Sequence, residues 1–279
     1  MAENLARYTN GNAHIVIVGR NHVAAEEILA SFPKPPTDTS GWRHEFISCD
    51  ASLMKNVEAT TTELLSRLPK INLLVLSAGY ITLLGRDETE EGIDKQLALR
   101  YYARWKFIHD LLPALKNAQS AGQATKVMSI LGGGGAGSVD FNDLGLKKNY
   151  SGMKAALASM TYNDLALDEF ALRNPEITFT HIYPGFVDTP TFTSSHWAVR
   201  LMSPLIRLVL WLFSATPEVA ADYMLYGLLS GEKGFFRRGE KGNDIGMKKY
   251  SGSDADRKRM WDHTQETTNK KATWIFLAI

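Results

Sequence analysis

The sequence predicts an α/β fold, with a parallel sheet and helices on both of its faces. Three observations carry this. Short apolar, β-branched runs alternate with longer stretches of helical periodicity along nearly the whole chain. Those runs are continuously apolar, as strands buried on both faces are. Most of them close on small, charged or hydroxyl residues, the composition of a sheet edge that meets a ligand.

The elements follow in order. His14–Val18 reads as a buried strand closed by Gly19-Arg20-Asn21. Residues 22–32 are helix-like, and Pro33, Pro35 and Pro36 make a loop. Arg43–Cys49 is a second strand ending in Asp50, and Leu53–Leu68 has helical periodicity. Ile71–Leu76 is a third strand, closed by Ser77-Ala78-Gly79. Asp87 to Ala118 is a long helical stretch with a bend expected near Pro113. Lys126–Leu131 is a fourth strand, followed by a glycine-rich turn over 132–137. A helix runs from Tyr150 to Arg173, and Ile177–Ile182 is a fifth strand closed by Tyr183-Pro184-Gly185. Pro190–Phe213 is apolar and irregular. Pro217–Ser230 is a helix, Gly234–Arg238 a short strand, and Ala255–Thr268 a last helix. No internal repeat or linker interrupts this series, so residues 1–279 read as one domain.

Composition narrows the function. A formal net charge of +1 gives no reason to expect a nucleic-acid partner. The longest apolar run, Leu205–Phe213, is interrupted by Arg207 and is too short to span a bilayer. The start of the chain does not read as a secretory leader. Cys49 is the single cysteine, and no Cys/His cluster has metal-ligand spacing, so no metal is expected. A reducing, cytoplasmic setting follows as the default. The apolar tail Thr273–Ile279 leaves three uses open: a core cap, a docking segment, or a membrane contact.

One stretch organises the chemistry. Tyr150 and Lys154 stand four residues apart at the start of a helix and therefore share a face. A phenol holds its proton to a pKa of about 10, and a neighbouring ammonium lowers that value. Such a pair can exchange a proton with an alcohol or ketone. Arg20, directly after a strand, suits a phosphate by charge and fork geometry. Each residue alone also fits a plain surface or turn role; together they gather at one sheet edge.

In this order the motifs resemble the short-chain dehydrogenase/reductase family, closest to its retinol-dehydrogenase-like fungal members. The resemblance rests on Arg20, Asp50, Ser77-Ala78-Gly79, Tyr150-x-x-x-Lys154 and Pro184-Gly185-Phe186-Val187-Asp188-Thr189. It implies a Rossmann-type fold, a nicotinamide cofactor and oxidoreductase activity on a small or medium apolar carbonyl or alcohol. Tyr150 would be the proton donor/acceptor, with Lys154 holding the nicotinamide ribose. Asp50 would lie near the adenine, Ala78 and Gly79 beside the cofactor, and Val187 and Thr189 at its nicotinamide end. Arg20 favours NADP(H) over NAD(H). Family members pair through their long helices, here Asp87–Ala118 and Asn149–Arg173. A homodimer or tetramer is thus implied, with Tyr101, Tyr102, Trp105 and Phe107 open to either intersubunit or internal packing.

The sequence departs from that pattern in three places. The family's opening strand, Gly-rich turn and helix have no counterpart before His14 except the helix tail. The expected architecture is therefore a Rossmann-type sheet missing its first strand, with two strand edges exposed unless they pair or are covered. Gly132 falls at the family's catalytic-serine position. Ser129 is the remaining serine candidate, although alternation turns it to the other face, and Ser138 is a further option. Arg100 falls where the family has an asparagine. These departures keep other readings open: a non-catalytic or truncated remnant acting as a binding module, or a non-redox isomerase using Tyr150.

Overall fold

The computed structural model describes residues 1–34, 44–135, 137–187, 214–247, 250 and 252–269. The apolar segment Pro190–Phe213, together with Thr189, Arg43, Pro35, Pro36 and the tail Thr273–Ile279, lies outside those residues.

Six parallel strands form in the predicted order, but in two sheets. β1 (Val16–Gly19) pairs with β2 (Glu45–Ser48). β3 (Leu73–Leu76), β4 (Lys126–Ile130), β5 (Thr178–Ile182) and β6 (Gly234–Arg238) make a second sheet in that order. The usual doubly wound sheet grows outward in both directions from its first strand. Here the strand that would join β1 to β3 is not found among the described residues, and β1 and β3 each keep an unpaired edge. The expectation of a Rossmann-type parallel sheet with helices on both faces is met.

Helices hold the two sheets together. On one face lie α3 (Met54–Arg67), α5 (Ala103–Ser120) and α6 (Gly152–Arg173). Val16, Val18 and Ile47 from the first sheet and Leu74, Leu76 and Val127 from the second all join the main core there. On the other face α1 (Ala2–Tyr8) spans both sheets. Its Leu5 packs with Ile15, Ile17 and Phe32 on one side and with Leu73, Met128 and Ile182 on the other. α1 is tied to α7 (Pro217–Leu229) by hydrogen bonds to the Asp222 carboxylate from Asn4 Nδ2, 2.6 Å, and Tyr8 Oη, 2.8 Å. α2 (His22–Ala30) follows β1, capped by the Asn21 side chain. α8 (Asp254–Thr268) opens with a capping box and packs against α6.

The long helix begins later than its periodicity predicts. Residues 87–94 form a turn closed by a Glu88–Asp94 bridge, with Gly92 at φ +73°. Asp94 then caps α4 (Lys95–Leu97) by accepting from Leu97 N at 3.0 Å. A π-helical turn, Ala98–Tyr102, joins α4 to α5, and Pro113 is accommodated inside α5. The aromatic cluster on this helix is internal. Tyr101, Tyr102 and Trp105 are about 1% exposed and Phe107 8%, and their ring partners include Tyr162, Phe170 and Trp261. Of the two uses the sequence allowed, these rings serve intramolecular packing.

Candidate active site

The strands' carboxyl ends converge on one edge. Arg20 is exposed directly after β1, and an added Cβ on Gly19 would find open space. Asp50 follows β2 and accepts from Ser52 N at 3.0 Å and Ser52 Oγ at 2.7 Å. Burial pushes the Asp50 carboxyl up, but those hydrogen bonds and the charges of Arg20 and Lys95 hold it below the usual range. Arg20 and Lys95 also act on Tyr80, in the loop after β3. The ends of β1, β2 and β3 therefore share one electrostatic neighbourhood. Ala78 and Gly79 are exposed beside it.

Tyr150 enters from the start of α6. Ser151 caps that helix by accepting from Lys154 N at 3.1 Å. Gly152 is required there: an added Cβ would lie 1.8 Å from Thr82 O. Buried Gln96 fixes the contact from both sides, accepting from Thr82 N and donating to Gly152 O, each at 2.7 Å. The loop after β3 is thereby pressed onto the first turn of α6. Tyr150 packs against the main core with Arg86 6.0 Å from its ring centre. Its hydroxyl is buried, with the Asp94 carboxylate as its neighbour rather than a well-formed hydrogen bond. Burial, then the negative charge and acceptor oxygen of Asp94, pushes the phenol up to about 12. This reverses the expected lowering. Lys154 lies on the helix's exposed side and is not among the charges that shift Tyr150, so a shared helix face did not bring ammonium and phenol together. A cleft of about 100 Å³ opens next to Asp94 and Arg86, bounded also by Tyr102 and His263; Tyr150 is not part of its wall.

Ser129 is fully buried in β4, as strand alternation anticipated. Its hydroxyl accepts from Arg104 at 2.7 Å and donates to Asn163 Oδ1 at 2.8 Å. It is committed to these partners in the core; the catalytic role expected of it is not met by this geometry. Val187 sits at the described end of the segment after β5, bridged to Ala215.

The main groups that sequence reasoning missed are basic and buried. Arg104, 3% exposed, donates to Ser129 Oγ, to Ile130 O at 2.8 Å and to Ala78 O at 2.7 Å. It staples the end of β3 to the end of β4. Arg100, in the π-helical turn, donates to Ser159 Oγ at 3.0 Å and Ala156 O at 3.2 Å, joining that turn to α6. Burial lowers Arg100 to about 10; burial, with the repulsion of Arg100, lowers Arg104 to about 9. Gly79 lies against both, since an added Cβ would be 3.3 Å from Arg100 Cγ and 3.5 Å from Arg104 Nη2. Two arginines four apart within an otherwise apolar helical run was the available signal. The glycine turn is held in turn by His181. Its Nε2 accepts from Gly132 N at 3.2 Å, and its Nδ1 donates to Asp164 at 2.5 Å. Arg237 pairs with the same carboxylate at 3.0 Å.

Parallel strands, helices on both faces and a polar edge at the strand ends define a doubly wound α/β protein. The profile described as "short chain dehydrogenase" matches residues 2–198. The chain belongs to that family. It is 37% identical over 209 residues to "Oxidoreductase AN1596" of Emericella nidulans, covering 75% of this chain and 60% of that protein. It is 32% identical over 212 residues to "Oxidoreductase andH" of Emericella variicolor, covering 76% and 60%. The chain thus spans about 60% of the length of these relatives. A 3-ketoacyl-(acyl-carrier-protein) reductase from Brucella melitensis complexed with NADH shares the fold at TM-score 0.56 and 15% identity, over 85% of this chain and 90% of that one. An NADPH-bound carbonyl reductase from chicken fatty liver does so at TM-score 0.52 and 16% identity, over 84% and 98%.

Proposed function

We propose that the chain is an NADP(H)-dependent oxidoreductase that interconverts a carbonyl and an alcohol on an apolar substrate, with Tyr150 as the proton-exchanging group. The observation that carries this is the buried Tyr150 hydroxyl at the head of α6, which lies beside the Asp94 carboxylate without a well-formed hydrogen bond. A buried hydroxyl so poorly satisfied is costly, and a substrate oxygen would satisfy it. With its proton held to about 12, the phenol is in the donor form at neutral pH. That form suits carbonyl reduction: Tyr150 gives its proton to the substrate oxygen as charge develops there.

The residues fit the two ends of a nicotinamide dinucleotide. Arg20 offers an exposed guanidinium for a 2′-phosphate, with Asp50 near the adenine. Ala78 and Gly79 let a ligand approach the backbone after β3. Lys154, one turn beyond Tyr150 and exposed, is free to reach a ribose hydroxyl. When bound, the cofactor supplies the hydride; the protein supplies position and field. The middle of the site differs, because no Gly-rich turn precedes β1 among the described residues to cradle a pyrophosphate. The exposed Ile81, Leu83, Leu84, Met153 and Phe186 near this edge support an apolar substrate. So does the name of a human relative, "Polyprenol dehydrogenase", 24% identical over 238 residues.

A second reading, a binding module without turnover, draws on the commitment of Ser129 to the core and on Arg100 where the family carries asparagine. NADPH titration followed by NADPH consumption with a ketone panel separates the two. The redox reading expects binding, turnover, and a loss of about 100-fold or more in turnover with Tyr150→Phe. It also expects Arg20→Ala to weaken NADPH more than NADH. Binding with no turnover favours the module, and unchanged turnover in Tyr150→Phe removes Tyr150 from the chemistry.

A further inference from the structure

Asp94 stands between Tyr150 and solvent. Its side chain is 1% exposed, and its carboxylate is the neighbour of the buried Tyr150 hydroxyl. It is also part of the wall of the cleft of about 100 Å³ that Arg86, Tyr102, Lys147 and His263 line. Tyr150 does not line that cleft. Water in the cleft therefore meets the carboxylate and not the phenol.

The structural work of this carboxylate is light. Oδ1 accepts from Leu97 N at 3.0 Å and so caps α4, and Oδ2 accepts from Asp87 N at a long 3.3 Å. Asparagine caps as well as aspartate does. Capping alone gives no reason to bury a negative charge, which is costly unless it is paired. The nearby cations are committed elsewhere: Arg86 pairs with Glu88 at 2.7 Å and Lys95 with Asp87 at 2.9 Å. What Asp94 faces instead is phenols. It acts on Tyr80 from the loop after β3, on Tyr102 from the π-helical turn and on Tyr150 from the head of α6. Arg86 opposes it at Tyr102 and Tyr150, and Lys95 and Arg20 oppose it at Tyr80. From α8, His263 places Nε2 2.8 Å from Tyr102 Oη, and Glu91 and Glu266 are the remaining titratable groups of the cleft.

We propose that Asp94 reloads Tyr150 with protons drawn from the cleft. This rests on the redox reading. In reduction the substrate's carbonyl carbon gains a hydride from the reduced cofactor, and its oxygen takes the Tyr150 proton. A phenolate is left beside a carboxylate, and two buried anions side by side hold one proton between them. Asp94 takes that proton from cleft water, passes it to Tyr150 Oη and is a carboxylate again. One solvent proton enters for each alcohol formed. Asp94 acts through Tyr150 and is a positioning residue.

Asp94→Asn keeps the cap but carries no proton. The first measurement needs no turnover: the Tyr150 phenol is titrated by NMR of ring-labelled tyrosine, with Tyr150→Phe assigning its signal. Removing the neighbouring charge should let the phenol ionise about one pH unit lower, or more. The second is ketone reduction at pH 7. There kcat should fall roughly tenfold or more with KM unchanged, and Asp94→Glu should restore most of it. If Asp94→Asn does not fold, Thr267→Trp fills the cleft from α8 and leaves Asp94 and Tyr150 in place. It should slow turnover without moving the phenol's titration. An unmoved phenol in Asp94→Asn overturns the relay. So does full kcat in either variant while the wild type turns over. A wild type that binds cofactor but turns nothing over sinks the redox reading itself, and the relay with it, even where the phenol's titration moves.

Discussion

β5 and β1 are both short apolar parallel strands, yet one is wholly buried and the other half-open. β5 has a hydrogen-bonded neighbour on each side, and its flanks are locked by the His181–Asp164–Arg237 group. β1 has one neighbour, and its sheet is joined to the rest only through helices. A parallel strand's apolar sequence fixes what it is; the number of paired edges fixes how firmly it is held. The β4–β5 side therefore behaves as the anchor, and the β1–β2 unit as the part that opens first.

Truncations of comparable intent should expose that contrast. Phe179→Ala, at a fully buried β5 site, should cost about 4 kcal/mol by urea denaturation, and Ile17→Ala in β1 about half that or less. Equal losses would break the contrast. Arg104→Leu leaves Ala78 O, Ile130 O and Ser129 Oγ without their donor. It should cost about 3 kcal/mol and loosen β3 from β4, seen as faster exchange of the Leu74 and Leu76 amides. At the seam where the loop after β3 meets α6, Gly152→Ala forces a Cβ into Thr82 O, and about 2 kcal/mol should be lost in thermal melts. Tyr150→Phe points the other way. Removing a buried hydroxyl that lacks a well-formed hydrogen bond should raise stability by up to about 1 kcal/mol while turnover falls, the pattern expected of a group kept for chemistry.

The smallest effect concerns the open half. Asp50 is held below an ordinary carboxyl value of about 3.9, so its contribution is present above that pH and fades as pH falls through its lower folded value. Asp50→Ala should cost under about 1 kcal/mol at pH 7 and nothing once the wild-type carboxyl is protonated, followed by melts across that window. A loss that persists in acid would assign the effect to the turn that Asp50 makes with Ser52 instead.

Much of this was legible in the sequence. Short apolar runs such as Ile71–Leu76 and Ile177–Ile182, set between stretches of helical periodicity, read as strands, and their order gives the sheet. The late start of the long helix was not legible, because Asp94 caps it through a turn that begins at Asp87, and helical periodicity continues across both. Arg104 was not singled out, and Arg100 only for standing where the family has an asparagine. Only the π-helical turn and the free carbonyls of Ala78 and Ile130 explain why they lie inside. The Tyr150 pKa was misjudged because spacing reports which face two residues share, not whether one is sunk in the core while the other stands in water.

The bracket made by α1 has a consequence for synthesis. Asn4 must wait 218 residues for Asp222 to leave the ribosome before its hydrogen bond can form. α1 thus waits for α7 before it can dock, and until then its apolar side needs shelter from other nascent chains.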